Sequence, residues 1–542
     1  MVSAPVDIST ERDALVRARE AADVKLHKLS NLTIIGADPI SEDFIAASVR
    51  GAMEQLQQQL TVFGRVDDEQ PWRVGLFGID RDGEQLVVDW RAPFARGFYQ
   101  ACCDDPMGLV RRVSYVGCID DLMIEEFDTG LISGSSPLLA ELSKSKGPHM
   151  RAAVATLQSE QDLLVRKDPG DTLVLRGGPG TGKTVVGLHR AAWLVYNDRR
   201  ITSDRLLIVG PSDRFLKFVS TVLPTLGESK IVQTTLERHL GPSTEIGSDP
   251  QWITLLDEFE RVLIQPDDIR VRGITVSADE LSSMISHLST RKLPWGARRK
   301  IFIDKLAAQL EVPRRELDNA VRKIFPTMAP AAAWTRLRSP QLLASLGADE
   351  PFIRAFRTIH DDGPLRDELG ARFSANTPRY AHVIVDEAQD LSLLQLRAMQ
   401  RRATGLTLVG DDAQRSAVNS IGLRRCAELL GTPLEHMRTA YRMSAEIAQW
   451  LNEHAERFNI DAVELVGVRP TGIAVSAASD AHAAASGLEQ RWDNVAVIAS
   501  DVWDHKGVEY DAVVVDATTL TPEEIYLAAS RAAHELVIVH AS

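Results

Sequence analysis

Short, almost unbroken apolar runs recur along the later two thirds of the chain: TLVLRG, RLLIVG, HVIVDE, LTLVGD, VAVIAS, AVVVDA and ELVIVH, with helix-like stretches between them. A strand with one wet face alternates apolar and polar side chains. A parallel strand covered by helices on both faces does not, so the pattern predicts α/β units on parallel sheets. Between Glu228 and Tyr380 the strand rhythm stops and charged, helical sequence replaces it. This predicts a helical domain inserted into the first α/β unit.

Upstream, ERDALVRAREAADVKLHKL and SEDFIAASVRGAMEQLQQQL read as two helices around a break at Gly36, Asp38 and Pro39. Ser41 suits the N-cap of the second helix because its oxygen can accept from an orphan backbone N–H. Arms of about 20 residues would reach about 30 Å. Two arrangements fit: an antiparallel hairpin with an acidic tip (Asp38, Glu42, Asp43), or a plain packed pair. WRVGLFGID and QLVVDWRAP flank Arg81-Asp82-Gly83-Glu84, which predicts a β-hairpin. Asp89, Trp90 and Arg91 at its end read as structural. The expected division is an N-terminal helical arm (1–70), a β-containing region packed on the core (71–150), and the first α/β domain in two parts (151–229 and 381–435). The helical insertion (230–380) lies between those parts, and the second α/β domain (436–542) follows.

Length and charge narrow the partners. A chain of 542 residues exceeds what one hydrophobic core serves. No apolar run approaches the roughly 18 residues of a membrane span, and Met1–Asp23 has no signal-like apolar region. A cytoplasmic, monomeric protein without a membrane partner is expected. Cys102, Cys103, Cys118 and Cys426 make no C-x-x-C pair, so neither zinc nor a disulfide is expected. The net charge of −14 weighs against a broad basic face for nucleic acid. A local exception runs from His287 to Phe325, where ten Lys/Arg (Arg291, Lys292, Arg298, Arg299, Lys300, Lys305, Arg314, Arg315, Arg322, Lys323) face four acids. It reads either as a phosphate-contacting patch or as the solvated face of helices.

The chemistry concentrates in two places. RGGPGTGKT contains Gly177…Gly182-Lys183-Thr184, a G-x-x-x-x-G-K-[ST] loop between a strand and a helix. Gly177, Gly178, Pro179, Gly180, Thr181 and Gly182 would wrap backbone N–H groups around phosphate oxygens, helped by the helix N-terminus. Lys183 would neutralise the β- and γ-phosphates of ATP, and Thr184 would offer its hydroxyl to Mg²⁺. HVIVDEAQD then places Asp386 and Glu387 at a strand end. Asp386 suits the magnesium and Glu387 suits the base that polarises the attacking water.

RGGPGTGKT, DEAQD, LVGDDAQRS, AYRMSAEI, DHKGVEYD and YLAASRAAHEL stand in the order found in the UvrD/Rep group of superfamily I helicases. The chain resembles that group from about Ala152 to its end, apart from the insert. The resemblance implies two RecA-like P-loop domains and further roles. Gln161 would read the adenine edge, and Tyr441 would stack on adenine. Gln389 and Gln414 would sense the γ-phosphate, Arg442 and Arg531 would reach it from the second domain, and Glu509 would lie near the ribose.

VVDWRAPFARGFY, the LTVFGRVD run, HMRAAVATLQSEQDLLVR and GPSDRFLKFVSTVLPTLGE resemble the HelD branch, helicase-like ATPases that associate with bacterial RNA polymerase. In that family an N-terminal helical arm probes the polymerase secondary channel and an insertion in the first ATPase domain displaces nucleic acid. Both elements look short here. Only 64 positions separate Arg442 from Lys506, where unwinding relatives hold a large extra domain. Three expectations follow: an ATPase that remodels or recycles RNA polymerase by displacing DNA or other transcription-complex nucleic acid; a 3′–5′ DNA helicase; or an ATP-binding protein that blocks polymerase sterically with little turnover.

Overall fold

A computed structural model describes residues 6–31, 62–116, 120–134, 136, 157–228, 230–289, 293–374 and 379–540. The second N-terminal helix with its acidic tip, Cys118, Arg291 and Lys292 lie outside the described residues.

The first helix, α1 (Ile8–Ser30), lies along an N-terminal sheet. The sheet holds β1 (Val62–Asp67), β2 (Pro71–Gly75), β3 (Ile79–Arg81), β4 (Glu84–Asp89), β5 (Arg111–Tyr115), β6 (Leu122–Glu126) and β7 (Leu131–Ser133) in the order β3-β4-β2-β1-β5-β6-β7. Ala18, Ala21 and Ala22 of α1 pack on Ile79, Leu86 and Val87. Glu11 is fully buried and accepts from Arg65 Nη1 at 2.6 Å, Arg73 Nε at 2.7 Å and the Tyr115 hydroxyl at 2.5 Å. The β-hairpin forms around Asp82 (φ 53°) and Gly83 (φ 87°), the positive-φ pair that a tight hairpin needs. Its first arm is only β3. WRVGLFGID splits because its two halves pair with opposite edges of β4 and so cannot form one strand. The separated β2 pairs with β4 in parallel. The sheet starts at Val62, inside the stretch expected to be helical arm.

A short helix, α2 (Arg96–Gln100), leads from this sheet toward the core. The first core domain then runs through α3 (Ser159–Val165), β8 (Leu173–Gly177), α4 (Lys183–Asn197), β9 (Leu206–Gly210), α5 (Asp213–Val222) and β10 (Val232–Thr235). The insertion follows with the small hairpin β11 (Ile269–Val271) and β12 (Ile274–Val276), and helices end at α6 (Gly363–Phe373). The chain returns through β13 (Tyr380–Val385), α7 (Leu393–Arg402), β14 (Ala403–Gly410), α8 (Gly422–Leu430) and β15 (Leu434–Met437). The resulting sheet is parallel, in the order β10-β9-β13-β14-β8-β15. Two boundaries move accordingly. VQTT is an edge strand whose half-exposed, polar pattern hid it, so the insertion leaves after β10 rather than at 230. Likewise β15 closes the other edge, so the second domain begins after Met437 rather than at 436.

The insertion has its own aromatic core, with Trp252 on Phe356 at 4.7 Å and Trp295 on Phe325 at 4.6 Å between ring centroids. Its entry and exit are tied together. Gly363 N donates to Pro242 O at 2.7 Å, and Asp362 Oδ2 accepts from Thr244 N at 2.8 Å. Much of the basic window serves this domain. Arg298 and Arg299 are buried on Glu260 and Asp318, while Arg314 and Arg322 pair with Asp304 and Asp318. Of the eight described cations, two are thus buried in helix packing and two more sit in exposed ion pairs within the domain.

The second core domain contains a small parallel pair, β16 (Thr439–Ala440) with β17 (Val466–Gly467), and α9 (Ala445–Phe458). Its main sheet is parallel, in the order β18-β21-β20-β19, made of β18 (Ser476–Ala478), β19 (Val495–Ile498), β20 (Tyr510–Asp516) and β21 (Ala532–Val539). Helices α10 (Ala481–Glu489) and α11 (Pro522–Ala529) cover it. The architecture is two RecA-like α/β domains with a helical insertion in the first. No described helix is long and apolar enough to cross a membrane.

Candidate nucleotide site between the two core domains

The loop between β8 and α4 turns at Gly180 (φ 74°) and Gly182 (φ 85°), conformations open to glycine at little cost. Space also matters: a Cβ on Gly182 would sit 2.6 Å from Gln161 Nε2, and one on Gly177 would sit 2.7 Å from Thr181 Oγ1. Thr181 Oγ1 donates to Gly178 O at 2.8 Å, closing the turn. Lys183 Nζ donates to the same carbonyl at 2.9 Å and lies 4.0 Å from Asp411 Oδ2.

β13 carries Asp386 to the opposite side, where its Oδ2 accepts from Thr184 Oγ1 at 2.7 Å. Burial first, then the neighbouring Glu387, pushes Asp386 up to about 6. Lys183 is lowered by burial, against the pull of Asp411, Glu387 and Asp386. The Asp386 carboxylate and the Thr184 hydroxyl are hard oxygen donors that fit a magnesium ion, and the turned backbone with Lys183 fits a polyphosphate.

Glu387 is held in the left-handed region (φ 54°), uncommon for a residue with a long side chain and a form of strain found at functional sites. Gln389 Nε2 donates to Glu387 Oε2 at 2.6 Å, and Gln389 Oε1 accepts from Asp411 N at 3.0 Å. Ser392 and Gln395 form a capping box at the start of α7, which fixes the end of this loop. Gln414 Nε2 donates to Asp411 Oδ2 at 2.9 Å, and Gln414 Oε1 accepts from Arg531 Nη2 at 2.8 Å. A chain of contacts thus runs from Glu387 into the second domain.

That domain sits directly on the loop. Tyr441 N donates to Gly180 O at 3.0 Å, and the Tyr441 hydroxyl donates to Glu160 at 2.7 Å. Gln161, sixteen positions before Gly177, donates to Thr181 O at 3.0 Å and accepts from Gln158 N at 3.1 Å. Arg442 pairs with Glu509 and donates to Ser530 O at 3.2 Å, while its buried Nε has no hydrogen-bond partner among the described residues. Burial, with Arg531 and Arg469 nearby, lowers Arg442 to about 9. Burial likewise lowers Arg531. Such crowded cations suit an anion between them.

The expected residues described above meet at the boundary between the two core domains, with Glu509 turned onto Arg442. Four further residues join them. Asp411 follows β14 as Asp386 follows β13, a strand-end acid visible in LTLVGD. Lys506 Nζ donates to Asp390 Oδ2 at 2.6 Å, Gln414 O at 2.8 Å and Ser416 Oγ at 3.1 Å, and lies 3.6 Å from Glu387 Oε2. Arg176 donates to Asp461 Oδ1 at 2.8 Å across the same boundary. Asp390 and Lys506 lay in quoted motifs, but nothing local paired them, whereas Arg176 gave no signal beyond its place before the loop.

Two family models match the chain: the N-terminal domain of DNA helicase IV HelD over residues 8–122, and an AAA domain over residues 163–420. No curated protein matches. Among solved structures the chain is similar to the PRRSV helicase at 11% identity, over 70% of this chain and 54% of that one, with a TM-score of 0.32. It is also similar to Arterivirus nonstructural protein 10 (helicase), alone and in complex with DNA, at 11% identity and a TM-score of 0.29 in both cases. Those matches cover 71% of this chain and 62% or 63% of the others. The chain thus spans between about half and two thirds of these structures.

Proposed function

The chain belongs to the HelD-type helicase-like ATPases, and from that premise we propose that it uses ATP hydrolysis to remodel or recycle bacterial RNA polymerase by displacing nucleic acid. The observation that carries this reading is the cross-domain bridge. Arg531 reaches the phosphate side through Gln414, and Lys506 reaches Asp390 and Glu387. Turnover then depends on the two core domains closing on each other, which is how a helicase-like motor converts hydrolysis into movement.

In this reading Lys183 and the turn from Gly177 to Gly182 hold the phosphates, and Thr184 with Asp386 holds Mg²⁺, which shields phosphate charge when bound. Glu387, oriented by Gln389, accepts the proton of the attacking water. Arg442 and Arg531 complete the charge around the γ-phosphate, with Gln389 and Gln414 reporting its presence. Tyr441 and Gln161 take the adenine, and Glu509 approaches the ribose once Arg442 turns to phosphate.

The polymerase partner is supported by the HelD-type N-terminal match and by a separate helical domain inserted in the first core domain. The second reading, a 3′–5′ DNA helicase, draws on the core motifs. Against it, the 64 positions from Arg442 to Lys506 are occupied by α9, β17, β18, α10 and β19 of the core itself. The test measures ATPase activity with and without purified RNA polymerase and single-stranded DNA, alongside strand displacement on 3′-tailed duplex. Stimulation by polymerase without unwinding is expected; robust unwinding by the isolated protein would replace this reading with the helicase one.

A further inference from the structure

Three consecutive residues of α3 grip three different parts of the molecule. Glu160 accepts from Tyr441 of the second core domain at 2.7 Å. Gln161 donates to Thr181 O in the phosphate loop at 3.0 Å. Asp162, fully buried, accepts from Gln100 Nε2 of the N-terminal domain at 2.7 Å and from Arg166 Nε at 2.9 Å. Successive residues of a helix point about 100° apart, so one short helix can serve three neighbours. Its far end is held as well, because Arg166 Nη2 donates to Trp90 O at 2.9 Å and Nη1 to Ala92 O at 3.3 Å. Both carbonyls belong to the N-terminal domain.

The orientation of Gln161 has chemical consequences. Its Oε1 is fixed by Gln158 N and its Nε2 by Thr181 O, so the amide cannot flip without losing both bonds. A fixed carboxamide presents one acceptor and one donor in a set order. Adenine matches that order with its N6 amino group and N7, whereas guanine places the O6 acceptor where the amino group would be. Discrimination then depends on where α3 sits. Gln100 has its own orientation set, because Arg96 Nε donates to Gln100 Oε1 at 2.7 Å and so turns its amino group toward Asp162.

We propose that Gln100 and Asp162 are positioning residues for base selection, through which the N-terminal domain holds α3 and therefore sets the nucleotide preference of a site it does not line. The inference rests on the reading of Gln161 as the adenine-reading residue. It makes the N-terminal domain an indirect determinant of nucleotide preference.

The experiment measures kcat and KM for ATP and for GTP with the full chain. It compares wild type, Gln161→Ala, Gln100→Leu and Gln100→Glu, with thermal melts to verify folding. Gln100→Leu is expected to lower the ATP-over-GTP ratio of kcat/KM by about tenfold, through KM for ATP rather than kcat. Gln100→Glu, which sets a carboxylate against Asp162, is expected to lower it further. A folding defect would move kcat for both nucleotides together and leave the ratio alone. If Gln161→Ala loses the preference while both Gln100 variants keep it, the positioning role is wrong and the base-reading role stands. If Gln161→Ala keeps the preference, the base-reading role itself is wrong, and the inference goes with it.

Discussion

Lys506 of the second core domain donates to Asp390 of the first at 2.6 Å while lying 3.6 Å from Glu387. One ammonium therefore bridges the expected general base and the acid three residues after it. It also donates to Gln414 O, the residue that accepts from Arg531. Contact between the two domains and the surroundings of the expected base are thus tied to one side chain. Burial pushes Asp390 up, but Lys506 and the backbone N–H groups of Ser416 and Ala417 more than reverse this, leaving it below the usual carboxylate range.

Lys506→Ala is expected to slow ATP turnover by about a hundredfold, with nucleotide binding to the first domain largely kept. Steady-state ATPase assays set against binding of a fluorescent ATP analogue separate the two. Equal losses in both would remove Lys506 from the closing step. Because the folded pKa of Asp390 is lowered, its pairing with Lys506 is fully present above the usual carboxylate range and is lost only as pH falls through that lowered value. Turnover near neutral pH is therefore not expected to report on this pair.

Glu387→Gln is expected to bind ATP normally and to hydrolyse it about 10²- to 10⁴-fold more slowly, the contribution of a positioned general base. The amide keeps the contact with Gln389 and the left-handed backbone but cannot take a proton. Normal single-turnover hydrolysis in this variant would falsify the assignment of the base.

Much of this was legible in the chain because the signal was local. The phosphate loop, Asp386 and Glu387 each sit in a short motif joined to an apolar strand, and the strands facing helices on both sides are continuous runs such as LLIVG. What escaped depended on distant neighbours. VQTT looked unlike a strand because an edge position leaves Gln233 and Thr234 half exposed. WRVGLFGID looked like one strand because nothing in it reveals that β4 comes to lie between its two halves. Half of the described cations in the basic window turned out to pair within the insertion, since charge counting along a sequence cannot see Glu260 beside Arg298, 38 residues away. The three-way grip of α3 was invisible for the same reason: Gln100 and Tyr441 lie 62 and 281 positions from their partners.

Glu368, at the heart of the insertion's last helix, joins that domain to the helix after the catalytic motif. Its carboxylate accepts from Arg372 within α6 at 3.0 Å and from Arg397 and Arg401 of α7 at 2.9 Å and 2.5 Å. Burial would raise its pKa, and the three arginines override this and bring it to about 2. The stabilisation is therefore complete above the unfolded value of 4.5 and is lost as pH falls toward 2. Glu368→Ala takes away the acid of Arg397 and one of the acids of Arg372 and Arg401, which keep Asp257, Glu260 and Asp367, and is expected to destabilise the fold by about 1.5–3 kcal/mol. Thermal melts between pH 7 and pH 3 test both points. The wild type should lose its advantage over the variant as pH drops, and a constant gap would count against the network.

The second core domain also packs tightly on the phosphate loop at Gly178. A Cβ added there would stand 2.3 Å from Leu465 Cδ2, and Leu465 is buried in the core of that domain, so it has little room to turn away. Overpacking of this kind costs about 1–3 kcal/mol, and in Gly178→Ala the strain falls on the closed cleft. The loop itself keeps Lys183, Thr184 and the turn at Gly180 and Gly182. Gly178→Ala is accordingly expected to lower kcat by about 5- to 100-fold while ATP affinity changes little. The double variant Gly178→Ala/Leu465→Ala restores the space at the contact, so its kcat should exceed that of Gly178→Ala alone. If truncating Leu465 brings no recovery, the glycine is required by the loop's own geometry and not by the approach of the second domain.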